Sequence, residues 1–154
     1  MDTVDTKTRS KIMASVGQKN TGAEMILRRL LHKAGLRYRL HDRKLPGSPD
    51  LIFPRYAAVV FVHGCYWHAH DCYRGTKPKS RQKFWKEKFE ANKRRDAMNV
   101  KLLTSKGWRV LTIWECALKG KTALPQEALV QQVVTWLKGQ GRTASISGNE
   151  ILRA

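Results

Sequence analysis

Ten residues, His63-Gly64-Cys65-Tyr66-Trp67-His68-Ala69-His70-Asp71-Cys72, hold three of the chain's five histidines and two of its three cysteines. Imidazoles take and give protons near neutral pH, and thiolates bind soft or borderline metal ions. Cys65, His70 and Cys72, joined by the distant Cys116, make a set of three thiols and one imidazole that suits tetrahedral Zn²⁺. With all four positions filled by protein, such a zinc is structural. The alternative is that Cys116 is a core thiol and the other two are incidental.

Asp50 follows Pro49 and opens a short apolar run, where a carboxylate can hold Mg²⁺ together with backbone carbonyls and waters. An aspartate at a strand start also serves as an ordinary turn residue. What favours chemistry is that His63 and His68 lie within reach if residues 50–53 and 57–62 form a hairpin. Glu24 and Asp96 are further carboxylates that could support such a site, although a helix-start Glu and a helix-surface Asp have ordinary explanations too. Tyr66-Trp67 reads either as an anchor for the metal loop or as a rigid aromatic wedge for a base step.

The elements that must position these groups follow from periodicity. Thr21 and Glu24 fit a capping box, Ile26, Leu27, Leu30, Leu31 and Ala34 recur at helical spacing, and Gly35 supplies a stop. Leu36, Tyr38 and Leu40 alternate with Arg37, Arg39 and His41, which predicts a strand with one buried face. Asp50–Phe53, a turn at 54–56 and the continuous apolar run 57–62 predict a hairpin in the middle of a sheet. Ser80 is placed to cap a long helix through about Ser105. On it, Phe84, Lys88, Ala91 and Arg95 mark one stripe, and Trp85, Phe89, Asn92, Asp96, Val100 and Leu103 another. Trp108–Trp114 reads as a strand, and residues 125–138 as a helix with Leu129, Val133 and Leu137 inward. The sum is an α/β fold, a mixed sheet flanked by helices. Residues 1–20 read as a basic arm, 21–138 as the catalytic domain and 139–154 as a polar tail or strap.

Lys and Arg number 30 against 12 acids, a formal net charge of +18. That imbalance calls for a polyanionic partner, and nucleic acid fits best. No apolar run approaches the roughly 20 residues of a membrane span, and no signal-peptide pattern opens the chain. The cysteines therefore read as thiols or metal ligands of a cytoplasmic protein.

Pro49-Asp50, a hairpin, then Phe61-Val62-His63-Gly64-Cys65-Tyr66-Trp67-His68, with Trp114-Glu115-Cys116-Ala117-Leu118 downstream, resembles the very-short-patch-repair DNA mismatch endonucleases over residues 5 to 140. The resemblance implies a restriction-endonuclease-like fold with a structural zinc. It also implies a bacterial, monomeric, nucleoid-associated enzyme that nicks one strand at a T:G mismatch left by deamination of 5-methylcytosine, with mismatch-repair proteins as candidate partners. Asp50 and the Val62 backbone then hold Mg²⁺, His68 is the general base and His63 assists at the phosphate. Glu24 and Asp96 support the metal waters and the histidine. Cys65, His70, Cys72 and Cys116 become the zinc ligands, and Met13, Tyr66 and Trp67 the side chains inserted beside the mismatch. Two places depart from the family pattern. Val62 stands where Thr is expected, which removes any hydroxyl role, and Ala69 and Asp71 interrupt a longer histidine run. The competing readings are a restriction endonuclease that cuts both strands and a zinc-containing DNA-binding module without catalysis. The second leaves Asp50, His63 and His68 without a task.

Overall fold

The structure is a computed structural model that describes residues 21–66, 68, 70–72 and 79–148. The basic arm, Met13 and Trp67 lie outside the described residues.

The first helix, α1 (Gly22–Lys33), starts at the predicted cap, the Glu24 N–H donating to Thr21 Oγ1 at 3.2 Å, while the Glu24 carboxylate, the other half of the expected capping box, meets His41 and Arg28. It buries Ala23, Leu27 and Leu31. Three strands follow, β1 (Arg39–Leu40), β2 (Leu51–Phe53) and β3 (Ala58–His63), each antiparallel to the one before. The long helix α2 (Gln82–Ser105) then leads to β4 (Arg109–Trp114), which pairs parallel with β3. A short helix α3 (Glu115–Leu118) and α4 (Gln126–Lys138) return the chain to β5 (Thr143–Ile146), parallel to β4. The sheet runs β1-β2-β3-β4-β5 without a gap.

Side-chain alternation sends the central strands' residues to two cores. Leu51, Phe53, Ala58, Val60, Leu111 and Ile113 pack with α1 and α4, whereas Ile52, Val59, Phe61 and Val110 pack with Leu103 of α2. Coverage on both faces explains why residues 57–62 read as continuously apolar rather than alternating. Of the two stripes on α2, the one holding Trp85, Phe89, Asp96 and Leu103 faces the protein, with Phe89 and Leu103 buried.

Three details differ from the sequence reading. Residues 36–40 contribute only Arg39–Leu40 to the sheet, both exposed, because β1 is an edge with little to cover it. Tyr38 still packs edge-on to Phe53, at 5.7 Å, and donates its hydroxyl to the Arg28 carbonyl. Ser80 is not the cap of α2; Arg81 is, in the left-handed region and without a side-chain cap bond. Within residues 139–154, read as tail, Thr143–Ile146 is a strand. Its composition is polar, and only Ile146 is buried, but it covers the backbone groups along the outer edge of β4, which a buried central strand cannot leave unpaired. Arg109 secures the return: its guanidinium donates to the carbonyls of Trp136, Leu137 and Gly141 and lies 4.3 Å over the Trp136 ring.

Leu111, fully buried in β4 between β3 and β5, tests this arrangement. Leu111→Ala should lower unfolding free energy by about 2–5 kcal/mol in a urea titration, from lost transfer energy and the cavity left behind.

Candidate active site and metal centre

The register of β3 on β4 sets His63 beside Trp114. The candidate catalytic and metal-binding side chains among the described residues form three groups toward that end of the sheet.

In the first, one ligand atom each from Glu24, His41 and Asp50 lies within 4.8 Å of the others. Asp50 comes from the hairpin: its N–H donates to the Val60 carbonyl, and its Oδ2 accepts from the Val62 N–H at 2.7 Å. Glu24 reaches in from the first turn of α1, 1% exposed, with Oε2 at 2.8 Å from His41 Nε2 and 3.4 Å from an Arg28 guanidinium nitrogen. Burial pushes the Asp50 carboxyl up to about 8; the Val62 N–H opposes that shift and the Glu24 charge adds to it. Two carboxylates in one partly buried space repel, and a divalent cation relieves both the repulsion and the desolvation. The donor set fits such an ion.

The second group is His63, His68 and Asp96. The two imidazoles stack in parallel, centroids 3.8 Å apart at 1°. His68 Nδ1 is 2.5 Å from Asp96 Oδ2. A proton on Nδ1 shared with Asp96 leaves Nε2 as a lone-pair acceptor, the arrangement of a general base. His63 is held neutral. Burial, then the neighbouring His68, drives it down to about 3, against the pull of Asp96.

The third group is Cys65, His70, Cys72 and Cys116, again with ligand atoms within 4.8 Å. All three cysteines are free thiols, and Cys65 and Cys116 are buried. A tetrahedral zinc–thiolate site spaces its sulfurs by about 3.8 Å, so the cluster is of the right size. Burial pushes both the Cys65 and Cys116 thiols up, so without a cation they stay protonated. A bound metal ion reverses that preference. The Gly148 N–H donates to Cys116 Sγ at 3.2 Å, and the Thr122 hydroxyl donates to the Cys116 carbonyl, which fixes this residue from two sides.

Trp114 stands between the second and third groups. His70 stacks on it at 4.1 Å, and His63 meets it edge-on at 5.3 Å. Tyr66 packs edge-on to Trp85 and Phe89 of α2, so an aromatic cluster flanks the same loop.

The family model described as DNA mismatch endonuclease Vsr matches residues 1–74. The chain is 43% identical to the DNA mismatch endonuclease Vsr of Escherichia coli K12, over 94% of this chain and 93% of that one. The chain belongs to the DNA mismatch endonuclease Vsr family. It is also 46% identical, over 80% of its length and 90% of the relative's, to the type II nicking enzyme V.XorIIP of Xanthomonas oryzae pv. oryzae. With V.NmeAIP, a type II nicking enzyme of Neisseria meningitidis serogroup A, the identity is 41% over 78% of the chain and 86% of the relative. Membership of this family makes the protein a DNA endonuclease of mismatch repair. Among the described residues no helix is long and apolar enough to cross a membrane.

Two residues of the site were not singled out from sequence as chemical groups. His41 read only as a polar position of an alternating strand, and Trp114 only as part of a motif. For His41 a signal did exist: it sits among loop residues just past an apolar alternation, where imidazole has no packing role.

The titration of Asp50 has a consequence for stability. The unfolded carboxyl loses its proton near 3.8 and the folded one keeps it to about 8, so without divalent ions the folded state weakens as pH rises between those values. Asp50→Asn should therefore gain on the wild type from pH 5 to pH 8 in urea midpoints measured without added divalent ions. Adding Mg²⁺ at pH 8 should stabilise the wild type and leave the variant unmoved.

Proposed function

We propose that this protein nicks one strand of duplex DNA at T:G mismatches produced by deamination of 5-methylcytosine, the opening step of very short patch repair. The observation that carries the reading is the convergence, at the His63–Trp114 end of the sheet, of a partly buried Glu24–His41–Asp50 centre and a His68 held by Asp96. The five-stranded mixed sheet with helices on both faces is then a restriction-endonuclease-like core, working as a monomer.

Asp50, with the Val62 backbone carbonyl, holds Mg²⁺ in this reading, and Glu24 orders its waters. When bound, the ion neutralises charge developing on the phosphorane and the leaving oxygen. His68 Nε2 takes the proton of the attacking water, and Asp96 orients the ring and stabilises the imidazolium that forms. A neutral His63 beside it donates a hydrogen bond to a phosphate oxygen without repelling the imidazolium. The products are a 5′-phosphate and a 3′-hydroxyl. The cysteine–histidine cluster holds Zn²⁺, closed to chemistry, and ties the loop carrying His68 to the start of α3. Val62 in place of the expected Thr costs nothing in this scheme, because a backbone carbonyl is the group required.

Mismatch preference needs a term that net charge cannot supply, since phosphate attraction acts on every duplex alike. A T:G wobble stacks less favourably than a Watson–Crick pair, so opening its step consumes less of the few kcal/mol that wedge insertion requires. Met13, Tyr66 and Trp67 are assigned to that insertion.

Nicking of matched and T:G duplexes with Mg²⁺ tests the proposal. Asp50→Ala should abolish product, and His68→Ala should leave a trace, about 10²- to 10⁴-fold slower, with duplex affinity nearly intact in both. Equal cutting of matched duplex, or near wild-type rates in either variant, would overturn it. One zinc per chain should be found by metal analysis, and Cys116→Ser should lose zinc and stability together.

A further inference from the structure

His41 has no part in the scheme above, yet its imidazole is built into the Asp50 centre. Its Nε2 is 2.8 Å from Glu24 Oε2, and its own N–H donates to the Asp50 carbonyl at 3.2 Å. The backbone at His41 turns through the left-handed region, φ 48°, directly after β1. Histidine is among the few residues other than glycine found there with some frequency. The turn takes the chain out of the β1 edge and carries the ring toward Glu24 rather than along the strand.

A counter-ion for Glu24 is one explanation, but Arg28 already stands on that carboxylate from one helical turn away. What the ring adds is a nitrogen donor. Two carboxylates and an imidazole within 4.8 Å of one another fit around a single ion. Oxygen-only sets suit Mg²⁺, which holds water and seldom exchanges it for imidazole; an added imidazole favours first-row transition ions.

We propose that His41 is a third protein ligand of the Asp50 centre and shifts its preference from Mg²⁺ toward Mn²⁺. The proposal rests on Asp50 being a metal ligand. In consequence the enzyme binds Mn²⁺ at concentrations where Mg²⁺ leaves the centre largely empty, and the His41 ring exchanges its contact with Glu24 for the ion while Glu24 stays on the metal waters.

The test uses the full chain with its cysteine-cluster metal in place. Free Mn²⁺ is titrated by electron paramagnetic resonance, Mg²⁺ competes, and wild type, His41→Gln and Asp50→Asn are compared. Gln keeps an amide to hydrogen-bond Glu24 and is a poor ligand, and urea unfolding of the metal-free variant beside the wild type checks that it keeps the left-handed turn at 41. His41→Gln should lose about tenfold or more in Mn²⁺ affinity and much less in Mg²⁺ affinity. The bound Mn²⁺ of the wild type should show nitrogen hyperfine coupling in pulsed spectra that His41→Gln removes. A Mn²⁺/Mg²⁺ ratio equal in the two proteins, or coupling that persists in His41→Gln, overturns the assignment of His41. Mn²⁺ binding that survives Asp50→Asn unchanged instead overturns the Asp50 centre, and with it the metal reading on which this inference rests.

Discussion

The parallel pairing of β3 with β4, with His63 opposite Trp114, is the constraint on which the remaining geometry depends. It brings the loop after β3, which carries Cys65, His68, His70 and Cys72, against the start of α3, which carries Cys116. A slip of one residue would turn every β4 side chain to the other face. Leu111 and Ile113 would leave the core shared with α1 and α4, and Trp114 would leave the gap between His63 and His70. The register is strongly specified because β3 and β4 are covered on both faces, so a slip buries wrong volumes in two cores at once.

Around that end of the sheet the three groups solve one electrostatic problem in different ways. The protein carries a large positive charge suited to DNA, yet its centre sets the buried Glu24 carboxylate beside the partly buried Asp50. The field of the surface draws the polyanion in, while the buried acids create local demand for a cation. The stacked histidines follow the same economy of charge. Two imidazolium rings 3.8 Å apart would repel strongly, and burial resolves the matter by keeping His63 neutral, while Asp96 stands at hydrogen-bond distance from His68. In the third group, burial pushes the Cys65 and Cys116 thiols up, so their ionisation would call for a cation beside them.

Trp114 links the last two of these groups mechanically. One ring touches His70 face-on and His63 edge-on, so packed aromatic surface joins the cysteine cluster to the histidine pair in addition to the loop that carries both. Gly148 N–H extends the same support to β5, since the residue that donates to Cys116 lies two positions past that strand.

The residue types in 63–72, the distant Cys116, the carboxylates Asp50, Glu24 and Asp96, the helix from Thr21 and the two-sided core strands were all legible in the amino-acid sequence. Each rests on local chemistry or on a periodicity of 2 or 3.6, and such signals survive without knowledge of partners. Tertiary structure alone decided which of them meet. It set Asp96 against His68 across 28 positions and Glu24 against His41 across 17. It made a strand of Thr143–Ile146, whose polar residues carry no strand pattern and pair because β4 offers an open edge. It also turned His41 from a polar position of an edge strand into a neighbour of the buried Glu24. A side chain's neighbours across the sheet depend on register and backbone turn, and those are settled by packing many residues away.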